Sequence, residues 1–308
     1  MMSAAFFLLK QEFTPDMQTH PQPADNYEKA LGLFENLSSN EPQGMNPSCR
    51  SRLLTHGKKT GKAIILVHGY TSAPPQFLEL GRMFFEKGYN VLIVTLPRHG
   101  LAERMTREHG RLKAEELAAY ADRTVDIASG LGSHITIMGL SMGGVITSWA
   151  AQQRKEIDLA VIISPAFGFR KIPAPLTWPA MVFYRLLPDA FEWWDPELKE
   201  NGMSPWEYPK YSRHALTELL NIGFVVRDEA RKAPPAAKKI LLVLNPSDDM
   251  VNNDMAEEVA ANWEKRGADI STFTFDASLK LPHDLISPEQ VGQRTDIVYP
   301  RLLELSGK

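Results

Sequence analysis

The sequence predicts an α/β fold: a mostly parallel central sheet with helices on both faces and a helical insertion late in the chain. Three observations predict it. Continuous Ile/Val/Leu runs recur at 63–67, 91–96, 135–140, 159–163 and 240–244, the pattern of strands buried on both faces. Stretches of helical period fill the intervals at 76–87, 115–129, 144–153 and 255–266, and such alternation builds βαβ units. One proline-punctuated interval, 168–236, carries no buried-strand run. At 308 residues and 44% hydrophobic content, the chain has enough apolar material for a large core.

Taken in order, residues 1–48 are an extension expected to pack on the core, with Tyr27, Leu31, Leu33 and Leu37 along one side of a short amphipathic helix. The first part of the core spans 49–167 and holds the first four strand runs. Residues 168–236 have the character of a cap, because prolines at 173, 175, 179, 188, 196, 205 and 209 separate short helical pieces. Four of the six tryptophans, Trp178, Trp193, Trp194 and Trp206, fall there among other aromatics. Such side chains either wall an apolar substrate pocket or give a small insertion its own core. Trp178, Phe183 and Trp206 are the candidates for the first role. The core resumes at 237–308, where 270–275 alternates apolar with polar or threonine residues and predicts a last, more exposed strand.

Composition excludes several classes of function. A net charge of −3 and the absence of long like-charge runs leave no basic face for a phosphate backbone, so nucleic acid is not an expected partner. The single cysteine, Cys49, allows no internal disulfide framework and no thiolate zinc cluster. The apolar run at 4–9 is too short to span a membrane and has no basic residues before it, as a signal peptide would. A soluble, cytoplasmic protein without stable membrane insertion is the expectation.

The chemistry centres on Gly139-Leu140-Ser141-Met142-Gly143, a GxSxG pentapeptide between a strand run and a helical run. A serine hydroxyl is a poor nucleophile at neutral pH. It must be held on a sharp turn where a histidine can take its proton, and the flanking glycines leave room for that turn. After Ser141 the chain offers two histidines, His214 inside the insertion and His283 in a loop after the final strand. The order Ser, acid, His selects His283. The acid should leave the end of the 240–244 strand, where Asp248 and Asp249 are adjacent. Either carboxylate is chemically sufficient to orient the ring, and periodicity does not separate them. For the oxyanion, Gly69 in Val67-His68-Gly69-Tyr70 lets backbone N–H groups point inward, which makes Tyr70 and Met142 N–H the natural donors. His68 precedes Ser141 and is expected to brace this loop. Pro97-Arg98-His99-Gly100 forms another turn at the same edge, with His99 expected at the surface and Arg98 a candidate to meet a polar or anionic part of a substrate.

Together these residues resemble the α/β-hydrolase superfamily from about Cys49 to the C-terminus, and within it the bacterial carboxylesterases and monoacylglycerol lipases. His68-Gly69-Tyr70 is similar to the oxyanion loop, Gly139 to Gly143 to the nucleophile elbow, and Pro282-His283-Asp284 to the histidine loop. Asp248 with Val251 three positions later resembles the acid turn, which favours Asp248. Residues 168–236 fall where those relatives carry their cap. Where they usually have Gly-His-Gly this chain has Arg98-His99-Gly100, and its leading segment is longer than in the shortest relatives. The resemblance implies a serine hydrolase that cleaves carboxylic esters with an apolar acyl part through an acyl-enzyme, without metal or organic cofactor. The same triad also serves peptide, thioester or carbon–carbon bond hydrolysis and acyl transfer, among which fold does not decide. A non-catalytic ligand-binding protein is disfavoured because no triad position is lost. The sequence assigns no oligomeric state.

Overall fold

The computed structural model describes residues 17–307, and the apolar run at 4–9 lies outside them. Each continuous Ile/Val/Leu run becomes a buried strand: β2 (Thr60–Val67), β3 (Tyr89–Ile93), β4 (Gly132–Leu140), β5 (Leu159–Ile163) and β8 (Lys239–Leu244). A further edge strand, β1 (Arg52–Leu54), is three half-buried residues pairing antiparallel with β3, too short to leave a periodic trace in the sequence. The other edge is β9 (Ile270–Thr274), the more exposed strand that alternation predicts. The order is β1-β3-β2-β4-β5-β8-β9, parallel throughout except at β1.

Alternate side chains of one strand enter opposite layers. Ile65 and Val67 join Ile137 beneath α3 (Ala114–Leu131), α4 (Met142–Gln153), α6 (Arg213–Ala230) and α7 (Asn253–Lys265). Ile64 and Leu66 join Met138 beneath α2 (Pro75–Glu86) and α8 (Thr295–Ser306). After β2 the chain moves to β3 on one side and then returns to β4 on the other. The crevice at the carboxyl ends of β2 and β4 is therefore a topological switch point, where open α/β sheets place their ligands. Register puts Val67 beside Gly139 and Leu140 beside Ile163, so the turns leaving these strands converge on one edge.

Between β5 and β8 the chain builds α5 (Ala174–Leu186), a small antiparallel pair of β6 (Phe191–Trp193) with β7 (Lys210–Ser212), and α6. The expected short helical pieces undercount this segment. Pro209 and Pro234 bracket a proline-free stretch, and α6 uses it for 18 residues. Among the described residues no helix is long and apolar enough to cross a membrane.

The leading segment packs on α3. Its helix α1 (Tyr27–Ser39) is capped by the Asn26 side chain, which accepts from Lys29 N–H at 2.8 Å. Tyr27, Ala30, Phe34 and Leu37 face the core at helical spacing, together with Leu33, while Leu31 lies outside that cluster. Ahead of the helix, Thr19 Oγ1 and His20 N–H donate to Asp122 at 2.6 and 2.8 Å, and Gln22 N–H donates to Asp126 at 3.0 Å. Both carboxylates also hold Arg154, a fully buried guanidinium that pairs with them at 2.9 and 2.6 Å and with Glu156 at 3.1 Å. Removing a charge from such a cluster leaves its partners desolvated and unanswered. Arg154→Met should lower the unfolding free energy by ~3–5 kcal/mol in urea titrations; an unchanged midpoint would show that the cluster does not hold the extension to the core.

Candidate active site

Ser141 sits between β4 and α4 with φ 59° and ψ −116°, a conformation that costs energy for any residue with a Cβ. The turn is held on both sides. Ser141 N–H donates to Ile163 O at 3.0 Å, and its carbonyl accepts from Val145 and Ala166 N–H at 3.1 and 3.2 Å. Packing then dictates the glycines. A Cβ on Gly139 would lie 2.1 Å from Gly143 O, and one on Gly143 would lie 2.1 Å from Val67 O, so neither position admits a side chain.

Beyond β8 the chain turns through Asn245 to Asp248, whose side chain is fully buried. Its Oδ2 accepts from His283 Nδ1 at 2.7 Å, while Oδ1 accepts Met250 and Val251 N–H at 2.9 and 3.1 Å. Asp249 is exposed. The side-by-side aspartates thus have separate environments, and the one with three hydrogen bonds faces the imidazole. Burial opposes the charge on Asp248, but His283 and the two N–H donors outweigh it and hold the carboxyl below its usual range. Burial likewise opposes the imidazolium of His283, yet Asp248, with Asp284 and Asp249 further off, raises its pKa above 6.5. Asn245 Nδ2 ties the histidine loop to the same strand by donating to Leu281 and Pro282 carbonyls, both at 3.0 Å. No hydrogen bond joins Ser141 Oγ to His283 in this resting arrangement; catalytic contacts of this type commonly tighten only when substrate binds.

The turn after β2 lies against the serine, since a Cβ on Gly69 would be 3.8 Å from Ser141 Cβ. Gly69 N–H is already used, donating to Gln76 Oε1 at 2.9 Å. Tyr70 and Met142 N–H have no partner among the described residues. Gln76 belongs to none of the sequence motifs. Its amide also donates to Asp284 Oδ2 at 2.7 Å, so one buried side chain spans the turn after β2 and the loop of His283. The signal in the sequence is a polar residue in phase with the buried stripe Phe77, Leu80 and Phe84 of α2.

His68 braces the same turn as expected. Its ring accepts Leu96 N–H at 3.0 Å and donates to Gly69 O at 2.9 Å. His99, expected at the surface, is buried instead and does parallel work, accepting Thr71 N–H at 3.1 Å and donating to Pro97 O at 2.7 Å. The tight 97–100 turn draws it inward, and burial pulls both rings down to about 3, so both are neutral. Arg98 is engaged by Glu116 at 3.0 Å and Glu108 at 3.4 Å, so its charge is already answered. His214 bonds Leu187 O inside the insertion. Of the aromatic candidates, Trp178 is half-buried on α5, Trp206 packs beside Met45, Cys49 and Ala73, and Phe183 is 59% exposed against the edge of Tyr184. Phe183 is thus open to solvent, with its ring set against Tyr184. Trp194 has a defined role the sequence did not isolate: its Nε1–H donates to Thr71 Oγ1 at 2.8 Å, and Tyr208 N–H donates to Thr71 O at 2.9 Å. Among the described residues no cluster of three or more His, Cys, Asp or Glu side chains is arranged to hold a metal ion.

Residues 64–290 match the alpha/beta hydrolase family. The chain belongs to the α/β-hydrolase family. Its sequence is 28% identical over 120 residues to a thermostable monoacylglycerol lipase of Bacillus sp., an alignment covering 37% of this chain and 44% of that protein's length. The α/β-hydrolase architecture is shared more widely. A solved structure of the metagenome-derived lipolytic enzymes LipS and LipT superposes with a TM-score of 0.62 at 20% identity, covering 85% of this chain and 98% of the other. The Paleococcus ferrophilus monoacylglycerol lipase gives 0.61 at 18% identity, covering 83% and 96%.

The geometry makes a direct prediction for the imidazole. In an NMR titration His283 should titrate above the usual imidazole range, and Asp248→Asn should lower its pKa, because the largest opponent of burial is then gone. A value unmoved by the substitution would contradict the pairing.

Proposed function

We propose that the protein is a serine hydrolase of carboxylic esters, and the observation that carries this reading is the buried Asp248–His283 pair, whose loop Gln76 ties to the turn lying against a serine held at positive φ. Ser141 attacks the ester carbonyl as His283 Nε2 takes its proton, while Asp248 keeps Nδ1 protonated and stabilises the imidazolium. Tyr70 and Met142 N–H hold the oxyanion, and collapse of the tetrahedral intermediate returns the proton to the leaving alcohol. Water then attacks the acyl-enzyme with His283 as base, regenerating Ser141 and releasing the acid. No step calls on a metal or organic cofactor.

Residues 168–236 act as a cap over this site in the proposal. Trp194 and Tyr208 on Thr71, and the Arg170 N–H donated to Met250 O at 2.9 Å, fasten that segment to the turns bearing the oxyanion donors and the acid. Kinship with a monoacylglycerol lipase supports small acyl esters with an apolar acyl part as substrates. A reducing, cytoplasmic location accords with the single buried Cys49, whose thiol burial pushes up to about 12.

The test is hydrolysis of p-nitrophenyl esters from acetate to palmitate. Ser141→Ala should cost at least ~10³-fold in kcat with the fold intact, and Asp248→Asn about 10⁴-fold, whereas Asp249→Asn should cost less than about tenfold because that side chain is exposed. Since the base must be neutral, kcat/KM should fall as pH drops through the raised pKa of His283, placing the acid limb above 6.5. Equal turnover by wild type and Ser141→Ala would overturn the reading.

A further inference from the structure

A second concavity lies under α1, and none of Ser141, Asp248, His283 or Tyr70 lines it. Its volume is about 560 Å³, within the range of roughly 300–1,000 Å³ typical of small-molecule sites. Leu33, Leu37 and Met45 of the leading segment form one wall, and Leu96, Tyr120 and Ile127 of the core form the other. The Tyr120 hydroxyl is spent on Val94 O at 2.9 Å, so that wall presents the ring and not a free donor.

Charge selects the occupant. Four ionised side chains border the cleft: Glu41, Arg98, Arg123 and Asp126. Glu41 pairs with Arg50 at 3.2 Å, Asp126 with Arg154 at 2.6 Å and Arg98 with Glu116 at 3.0 Å. Arg123, exposed on α3, has no carboxylate partner among the described residues. A cleft whose apolar walls are edged by Asn36, Asn40 and Thr95, with a guanidinium at its rim that has no ion pair among the described residues, matches a single-chain amphiphile whose head is a carboxylate.

The cleft is also wired to the turn after β2. Its wall includes Leu96, Pro97 and His99. Leu96 N–H donates to His68, which donates to Gly69 O, and Thr71 N–H donates to His99, which donates to Pro97 O. Two neutral buried rings thus join segment 96–99 to both sides of Tyr70. We propose that the cleft binds an aliphatic monocarboxylate, with its chain under α1 and its head on Arg123, and that occupancy shifts the oxyanion donor through His68 and His99. The binding half stands on the cleft alone. The regulatory half rests on the ester-hydrolase reading, under which the occupant is of the same chemical class as the acid released at Ser141.

Calorimetric titration of dodecanoate, below its micelle-forming concentration, into the full-length Ser141→Ala protein should show saturable binding. Arg123→Glu and the cleft-filling Leu37→Trp, each in the Ser141→Ala background, should weaken it at least tenfold, and dodecyltrimethylammonium, with the same chain and opposite charge, should bind at least tenfold more weakly. Affinity unmoved by both substitutions, or no binding, overturns the proposal. In the wild type, dodecanoate should change kcat for p-nitrophenyl acetate in an Arg123-dependent way. A rise in KM alone, equal in Arg123→Glu, is competition at Ser141 and overturns the regulatory half. Arg123-dependent binding without any ester turnover would sink the ester-hydrolase reading and leave the binding site standing.

Discussion

The site depends on one close packing contact, the first turn of α4 pressed against the end of β2. With a hydrogen at Gly143, the helix backbone comes so near Val67 O that a Cβ would stand 2.1 Å from it. Ser141, at the head of that turn, holds its positive φ. Gly69, just past the end of β2, lies against the serine. The parallel sheet supplies the rigid frame, and the strain in one residue is sustained because β5 and α4 bond its N–H and C=O from both sides.

Around that contact, the loops are joined to one another by side chains that take no part in the chemistry. Gln76 links the turn after β2 to the histidine loop, Asn245 links the histidine loop to the acid strand, and His68 and His99 link the turn after β2 to segment 96–99. Each is buried and each satisfies a backbone group, so a loop cannot move without orphaning a buried polar atom. Preorganisation of this kind keeps donors aimed at where charge develops. The segment between β5 and β8 joins the same network through Trp194 and Tyr208, which makes Thr71 one of the residues where core and insertion meet.

The fold was legible because its strands are buried on both faces and leave unbroken Ile/Val/Leu runs, and because GxSxG marks a turn that few residues can make. The proposed Ser141, Asp248 and His283 were picked out by chain order and motif, and of the two aspartates that periodicity left open it is Asp248 that bonds His283 while Asp249 is exposed. Less was legible where the cause is three-dimensional. Three half-buried residues do not announce β1, a buried His99 resembles any loop histidine, and Phe183 and Trp194 look alike in sequence although one faces solvent and the other holds Thr71. Arg154 was invisible because its partners, Asp122 and Asp126, lie on another helix. Gln76 shows only as a polar residue on a buried stripe, a cue that needs the helix phase to be seen.

In the proposed chemistry the strained turn delivers an activated serine. A fluorophosphonate reagent, which reacts with serines whose hydroxyl is deprotonated by a neighbouring base, tests it without assuming any substrate. Peptide mass spectrometry after treatment of the wild-type protein should find one phosphonyl adduct per chain, on Ser141, with labelling lost in His283→Ala. Labelling at another residue, or at Ser141 with a rate indifferent to His283, would contradict the account.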